Sequence, residues 1–289
     1  MIFNQSGVEK VGVVFDKKNC QQIIKGVYKS RNVNNLFLSK NVWKSKKWIS
    51  YRQNPAPGSN LLDKLESKFI FNNKKFSKHM SYILGESYRI LDSKIVMSIP
   101  DNSIPKWILD INKNYQVVNL GSFIKPQFRD ITYFRGIDFH QDIIDWPTRS
   151  SDFITAYIYL NDVNINNSPL FVVPKSHLLG ASFYPHNLKM LKNNKLKYLA
   201  NNNSLVSSYK PLLGKAGSLF YWHPFMLHGT QPGKSVKPRV SVRILVEKKL
   251  RILSGCALDK INKKIRGKKK LKSYKKPITK KKNLINTIR

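Results

Sequence analysis

The sequence predicts a mainly β protein with flanking helices, and three stretches carry that prediction. Residues 238–246, Pro-Arg-Val-Ser-Val-Arg-Ile-Leu-Val, nearly alternate apolar and polar side chains, the period of a half-buried strand. Residues 214–230 read as a turn, an apolar strand and an exit loop, punctuated by Gly214, Gly217, Pro224 and Gly229. Residues 154–162, Ile-Thr-Ala-Tyr-Ile-Tyr-Leu-Asn-Asp, form a third strand-like run.

The remaining elements follow in order. Residues 11–15 predict a short strand, residues 20–28 a helix, Pro55-Ala56-Pro57-Gly58 a loop, and residues 60–91 further helical structure. Three parts are expected: an N-terminal region, 1–110, that packs on the core and shapes its entrance; a β core, 111–247; and a basic tail, 248–289. A chain of 289 residues is long enough for one such core with an added region. No internal repeat is visible.

Charge is the most unusual global property. Fifty-two Lys and Arg face sixteen Asp and Glu, a formal +36; the stretch 248–289 holds 17 basic residues and one acid, Asp259, and so carries +16 of it. Such a field attracts polyanions: nucleic acid, anionic lipid or acidic polysaccharide. Abundant Lys, Asn and Ile is also what an AT-rich coding sequence writes, so part of the excess needs no partner. The run from Lys263 to Lys272 is expected to be flexible in isolation and to suit an anionic membrane surface, at about 1 kcal/mol per basic residue. Nucleic acid is the less favoured partner. Two cysteines, Cys20 and Cys256, make neither a disulfide framework nor a metal-type spacing, which fits a reducing interior. Apolar stretches fall well short of the roughly 20 residues that span a bilayer, and the first ten residues lack a signal-peptide pattern. The expectation is a cytoplasmic protein, at most peripheral to the inner face of a membrane.

The densest chemical signal is Phe139-His140-Gln141-Asp142, followed 86 residues after Asp142 by His228 and 11 residues later by Arg239. In extended chain His140 and Asp142 share a face while Gln141 points away. A second imidazole from His228 completes two histidines and a carboxylate, the facial set that suits non-haem Fe(II) and leaves three positions open. A bidentate 2-oxo acid fills two of these and O2 the third. Arg239, Ser241 and Arg243 share one strand face, and an inward guanidinium is costly to bury without an anionic partner. Arg239 with Ser241 is the candidate clamp for the distal carboxylate of 2-oxoglutarate, with Thr230 assisting and Gln127 a candidate donor to the other carboxylate. His223 is the rival imidazole, five residues before His228 and on the opposite face unless Pro224 disturbs the alternation. His177 reads as a structural loop residue, and His79 and His186 carry no pattern. Arg135, Trp146, Arg149 and Trp222 surround the motif in sequence and suggest a pocket for an anionic or polyhydroxylated substrate.

As an ordered set, His140-Gln141-Asp142, residues 154–162, residues 169–177, His228-Gly229-Thr230 and Arg239 resemble the phytanoyl-CoA dioxygenase family of Fe(II)/2-oxoglutarate oxygenases, over residues 111–247. The resemblance implies a double-stranded β-helix, a jelly-roll or cupin-like barrel with iron at its mouth. It implies His140, Asp142 and His228 as ligands, Arg239 for the 2-oxoglutarate carboxylate and the hydroxyl of Thr230 beside it. The offset to Arg239 and the Gly229-Thr230 pair favour His228 over His223. Two loops depart from the family: Asn167-Ser168 stands where a glycine is usual, and Pro174-Lys175-Ser176-His177 replaces Pro-Gly-Ser-His, placing the Lys175 cation near the site. Retention of Asp142 favours hydroxylation over halogenation.

Two function classes follow. The first is a hydroxylase using Fe(II), 2-oxoglutarate and O2 on an anionic or polyhydroxylated substrate. An acidic sugar of lipopolysaccharide is the preferred candidate, and an amino-acid-like or acyl-CoA metabolite the alternative. The second is a non-catalytic barrel that binds polyanions. The intact ligand set and clamp favour the enzyme.

Overall fold

A computed structural model of the chain describes residues 3–45, 55, 60–113, 117–146, 148–249 and 255–271. Its strands are β1 (Val8–Val13), β2 (Tyr88–Ser98), β3 (Val117–Asn119), β4 (Thr132–His140), β5 (Phe153–Tyr159), β6 (Leu170–Val172), β7 (Asn187–Met190), β8 (Lys195–Ala200), β9 (Asn203–Ser208), β10 (Lys210–Leu212), β11 (Ser218–Trp222), β12 (His228–Thr230) and β13 (Arg239–Lys248). Pairing runs β1-β11-β5-β13-β2-β4-β12-β6-β10, with β3 on β4, while β7-β8-β9 form a separate sheet inserted between β6 and β10. Every pair in the long path is antiparallel except β2 with β4, which joins its two halves.

Side-chain alternation turns that path into layers. On β5, Ile154, Ala156 and Ile158 face outward, where Cys20, Ile23 and Val27 of helix Lys17–Ser30 and Met80, Ile83 and Leu84 of helix Lys74–Leu84 cover them. Tyr157 and Tyr159 point the other way, with Phe220 and Trp222 of β11, onto Leu170 and Val172 of β6 and Leu212 of β10. Beyond the second half, Phe139, Phe171 and Leu227 pack under Leu196 and Tyr198 of the inserted sheet. This is the mainly β, jelly-roll-like architecture with flanking helices that the sequence predicts.

Several expected boundaries move. Strand β13 is not half-buried: Val240, Val242, Ile244 and Val246 lie under the helices, so Arg239 and Ser241 on its other face are enclosed as well. Residues 88–91, expected to be helical, begin β2, which pairs with β13 along its length. Since β1 and β2 are both strands of the main sheet, the division expected at residue 110 does not separate a region from the core. Nor does a tail begin at 248. Lys248 ends β13 and is ion-paired with Asp259 (2.7 Å) on helix Ala257–Lys264, and the Ala181 and Arg266 amides bond to Lys268 and Leu178 carbonyls across the following segment. The run expected to be flexible is therefore packed as far as Leu271, through Ile261, Ile265 and Leu271. Most of the Pro55 to Gly58 loop and residues 272–289 lie outside the described residues.

Gly217 shows how tightly β11 is fixed at its start. Its φ is +83°, its carbonyl accepts from the Val14 and Phe15 amides, and a Cβ there would stand 1.9 Å from the Phe15 carbonyl oxygen. Gly217→Ala is expected to destabilise the fold by at least about 2 kcal/mol. Thermal unfolding checks this, and an unchanged midpoint would contradict the packing.

Candidate active site

Three donors converge where the two halves of the barrel meet. His140 ends β4 and His228 begins β12, and the two residues are cross-strand partners with ring centroids 4.2 Å apart. The chain stays extended through Gln141, and Asp142 opens the short 3₁₀ turn Asp142–Asp145, so its carboxylate falls on the same side as His140. One donor atom each from His140, Asp142 and His228 lie within 4.8 Å of one another.

The surroundings fix the chemical state of each donor. His140 Nδ1 lies 3.0 Å from the Asp138 carbonyl and His228 Nδ1 lies 3.0 Å from the Met226 carbonyl. A carbonyl only accepts, so the ring proton sits on Nδ1 and each Nε2 lone pair is free. Burial, with His228 alongside, lowers the His140 pKa to about 3 and keeps it neutral. Burial pushes the Asp142 carboxyl upward, but the neighbouring His228, Arg243 and His140 side chains and the Thr155 hydroxyl outweigh it and hold the group well below the usual carboxylate range. Two imidazoles with Nδ1 tied to a carbonyl and an ionised carboxylate on one face are the donor set that fits Fe(II).

Asp142 is held from three directions. Its Oδ2 accepts from Trp222 Nε1 (2.9 Å) and Thr155 Oγ1 (2.6 Å), while Oδ1 accepts from Arg243 (3.0 Å) and lies 3.6 Å from His228 Nε2. Trp222, expected in the substrate wall, is buried and orients the carboxylate; its ring also packs 4.9 Å from that of His228. Gln141 points away, as alternation predicts, and is fully buried. Its amide donates to the carbonyls of Gly180 (3.0 Å) and Phe225 (2.9 Å) and accepts from the Ser182 amide (3.0 Å), pinning the ligand turn.

Arg239 is 2% exposed, and among the described residues no carboxylate lies within ion-pair distance of it. Its guanidinium donates to Tyr157 OH (2.8 Å) and Ser241 Oγ (3.1 Å) and lies over the Tyr157 and Tyr159 rings, while its Nε has no partner. Thr230 Oγ1 is likewise buried without a partner. A buried cation and a hydroxyl with unused donors fit the carboxylate of a bound oxo acid.

Other expected residues are placed elsewhere. Gln127 is exposed in the turn Pro126–Phe128 before β4, whereas His140 closes the far end of that strand, about 26 Å along at 3.3 Å per residue. Arg135 faces away from His140 by parity and grips Asp101 with two bonds, 2.7 and 2.8 Å. Arg149 is ion-paired with Asp152 and Glu247, and with Trp146 it lines a cleft of about 350 Å³. Lys175 is exposed with φ +69° and Ser168 has φ +55°, so both loops keep left-handed residues where the family has glycine nearby. His223 lies outside the donor cluster: its Nδ1 accepts from the Phe225 amide and its Nε2 donates to Asn262 Oδ1 (3.0 Å). Lys94, directly across from Arg243 on β2, escapes sequence reading because it belongs to no motif and only the pairing of β2 with β13 brings it there.

Residues 111–241 match the family model for phytanoyl-CoA dioxygenase (PhyH). Among solved structures the chain is similar to the non-heme alpha ketoglutarate dependent epimerase SnoN from nogalamycin biosynthesis, at 12% identity and TM-score 0.52 over 85% of this chain and 80% of that one. It is also similar to the apo form of the non-heme monooxygenase ThoJ, at 13% identity and TM-score 0.53 over 85% and 75%. No curated protein matches it in sequence. Donor set and family match together define the class, a non-haem oxygenase dependent on Fe(II) and 2-oxoglutarate. The matched residues, less than half of the chain, are similar to the phytanoyl-CoA dioxygenase family, whose enzymes use Fe(II), 2-oxoglutarate and O2.

Two outcomes are expected. Trp222→Phe removes one donor to Asp142 and should weaken Fe(II) binding roughly 10- to 100-fold with the fold intact, read by metal titration. Burial lowers the pKa of His140 to about 3, His177 to about 2, His186 to about 3 and His223 to about 4. Unfolded imidazoles gain protons below pH ~6.5 that the folded ones refuse, so stability is complete above that pH and falls below it, by up to about 1.4 kcal/mol per pH unit per histidine. The thermal midpoint of the metal-free chain should drop steeply between pH 6.5 and pH 4; a flat profile would contradict the burial.

Proposed function

We propose that His140, Asp142 and His228 hold Fe(II), that Arg239 with Ser241, Tyr157 and Thr230 grips the distal carboxylate of 2-oxoglutarate, and that the enzyme hydroxylates a C–H bond of an anionic, polyhydroxylated substrate. The observation that carries this is the convergence of three donors within 4.8 Å in the same barrel as a buried Arg239 lacking an ion-pair partner among the described residues. Iron with 2-oxoglutarate and O2 supplies the oxidising chemistry, with succinate and CO2 as co-products. The chain's own residues bind and orient: Trp222, Thr155 and Arg243 fix the carboxylate ligand, and Tyr157, its hydroxyl oxygen occupied by Arg239, has its proton left to donate.

The anionic preference rests on Lys94 and Arg243; like Arg135 and Arg149 they pair with acids, Lys94 with Asp92 (3.7 Å) and Arg243 with Asp142 (3.0 Å), but they do so beside the donor set. Lys94 and Arg243 are cross-strand partners on the face that reaches Asp142. Two adjacent cations repel unless anions join them. Burial, then Arg243, lowers the Lys94 pKa against the opposing pull of Asp92, Asp145 and Asp142. An acidic sugar of lipopolysaccharide remains the preferred candidate. Exposed Lys263, Lys264, Arg266, Lys268, Lys269 and Lys270, with exposed Phe183 under Lys268, supply a basic face with an apolar tip for an anionic membrane surface.

Succinate release from 2-oxoglutarate, screened against acidic sugars, amino acids and acyl thioesters, tests the reading. Stimulation by acidic sugars is expected, with turnover abolished in His140→Ala and Asp142→Ala. In Arg239→Ala the KM for 2-oxoglutarate should rise roughly tenfold or more. Lys94→Met should raise the KM for the sugar alone. Stimulation by acyl thioesters or amino acids only would discard the sugar and keep the enzyme; full activity in His140→Ala would discard the iron assignment.

A further inference from the structure

His186, which carries no sequence pattern, sits at the end of a hydrogen-bond chain that starts from the ligand turn. Gln141 Nε2 donates to Tyr198 OH (3.3 Å), Tyr198 OH pairs with Ser182 Oγ (2.7 Å), and Ser182 Oγ pairs with His186 Nδ1 (2.7 Å). The Ser182 amide is itself tied to Gln141 Oε1 (3.0 Å), so the histidine is anchored to the residue between the two ligands His140 and Asp142. Its ring meets Tyr184 and Tyr198 edge to face, with centroids 5.7 and 6.0 Å away. The side chain is buried, the residue being 8% exposed, and Nε2 has no hydrogen-bond partner. The two ligand histidines, His140 and His228, are near enough to act on the ring electrostatically.

The direction of the chain can be deduced. Tyr198 oxygen accepts from Gln141, so its own proton goes to Ser182 Oγ; the Ser182 proton then goes to His186 Nδ1. The reverse direction would leave the buried Tyr198 proton without an acceptor. With Nδ1 accepting, the neutral ring carries its proton on Nε2. A buried N–H without an acceptor is costly, and a bound acceptor removes the cost.

We propose that His186 is a substrate-positioning residue whose Nε2–H donates a hydrogen bond to an oxygen atom, hydroxyl, carbonyl or carboxylate, of the molecule held beside the iron. The role rests on the iron and 2-oxoglutarate reading of the site. It adds a neutral donor, from the residue that leads into the inserted sheet, to the cationic Lys94 and Arg243 of the main sheet.

Long-range proton–nitrogen NMR of histidine-labelled protein loaded with Zn(II) and 2-oxoglutarate tests it, with D-gluconate as the oxygen-rich probe. His186 should show the Nε2–H tautomer, and that resonance should shift when gluconate is added. His186→Gln, which keeps a donor, should hold gluconate within about twofold of the parent, and His186→Phe should bind it roughly fivefold more weakly. Both variants should bind 2-oxoglutarate as the parent does, which separates a substrate contact from a structural prop. An Nδ1–H tautomer, a resonance unmoved by gluconate, or equal affinity in Gln and Phe variants would overturn the proposal. His140 and His228 resonances that ignore Zn(II) would instead overturn the metal reading, a separate result in the same spectra.

Discussion

The buried carboxylate of Asp142 is the constraint on which the rest of the site depends. An ionised carboxylate in a barrel interior is expensive unless its lone pairs are used. Here an indole N–H, a hydroxyl and a guanidinium use them, from β11, β5 and β13 respectively. Three strands of the main sheet thus meet on one ligand of the other half. That convergence fixes where the ligand turn sits relative to β13, and with it the relation between the histidine pair and Arg239. Gln141 secures the same turn from behind through the Gly180 and Phe225 carbonyls. Ligand orientation is therefore built into the packing before any ion arrives.

Strand parity made much of this legible in the sequence. His140 and Asp142 at i and i+2, and Arg239, Ser241 and Arg243 at i, i+2 and i+4, could be assigned to shared faces without coordinates. Strand-like runs and the family resemblance gave the mainly β class, and the helix expected at 20–28 spans 17–30. What parity could not give was partnership. Trp222 was visible near the motif, but only the pairing of β11 with β5 shows that its indole meets Asp142. Gln127 looked close to His140 in sequence and is separated by the length of β4. Lys94 lies opposite Arg243 only because β2 runs antiparallel along all of β13, and β2 opens with Tyr88-Arg89-Ile90-Leu91, which reads equally as the end of a helix. The packed segment 255–271 was obscured by its lysines: composition reported its exposed face, while Ile261, Ile265 and Leu271 hold the other.

Charge in this protein acts on two scales. Close in, Arg239 has no ion-pair partner among the described residues, Lys94 pairs with Asp92 (3.7 Å), and Arg243 is already committed to Asp142. Farther out, the remaining lysines make a field that concentrates polyanions at the surface without specifying them. The inner cations give selectivity and the outer ones encounter, so an anionic substrate displayed on an anionic surface is consistent with both.

The central claim is that His140, Asp142 and His228 form one iron site beside a 2-oxoglutarate clamp. Anaerobic titration of the protein with Fe(II) and 2-oxoglutarate, followed by visible absorption, tests it most directly. The account predicts a weak charge-transfer band of a chelated keto acid that is lost in His228→Ala and kept in His223→Ala. A folded protein that gives no band, or one whose band survives His228→Ala and disappears in His223→Ala, would contradict it.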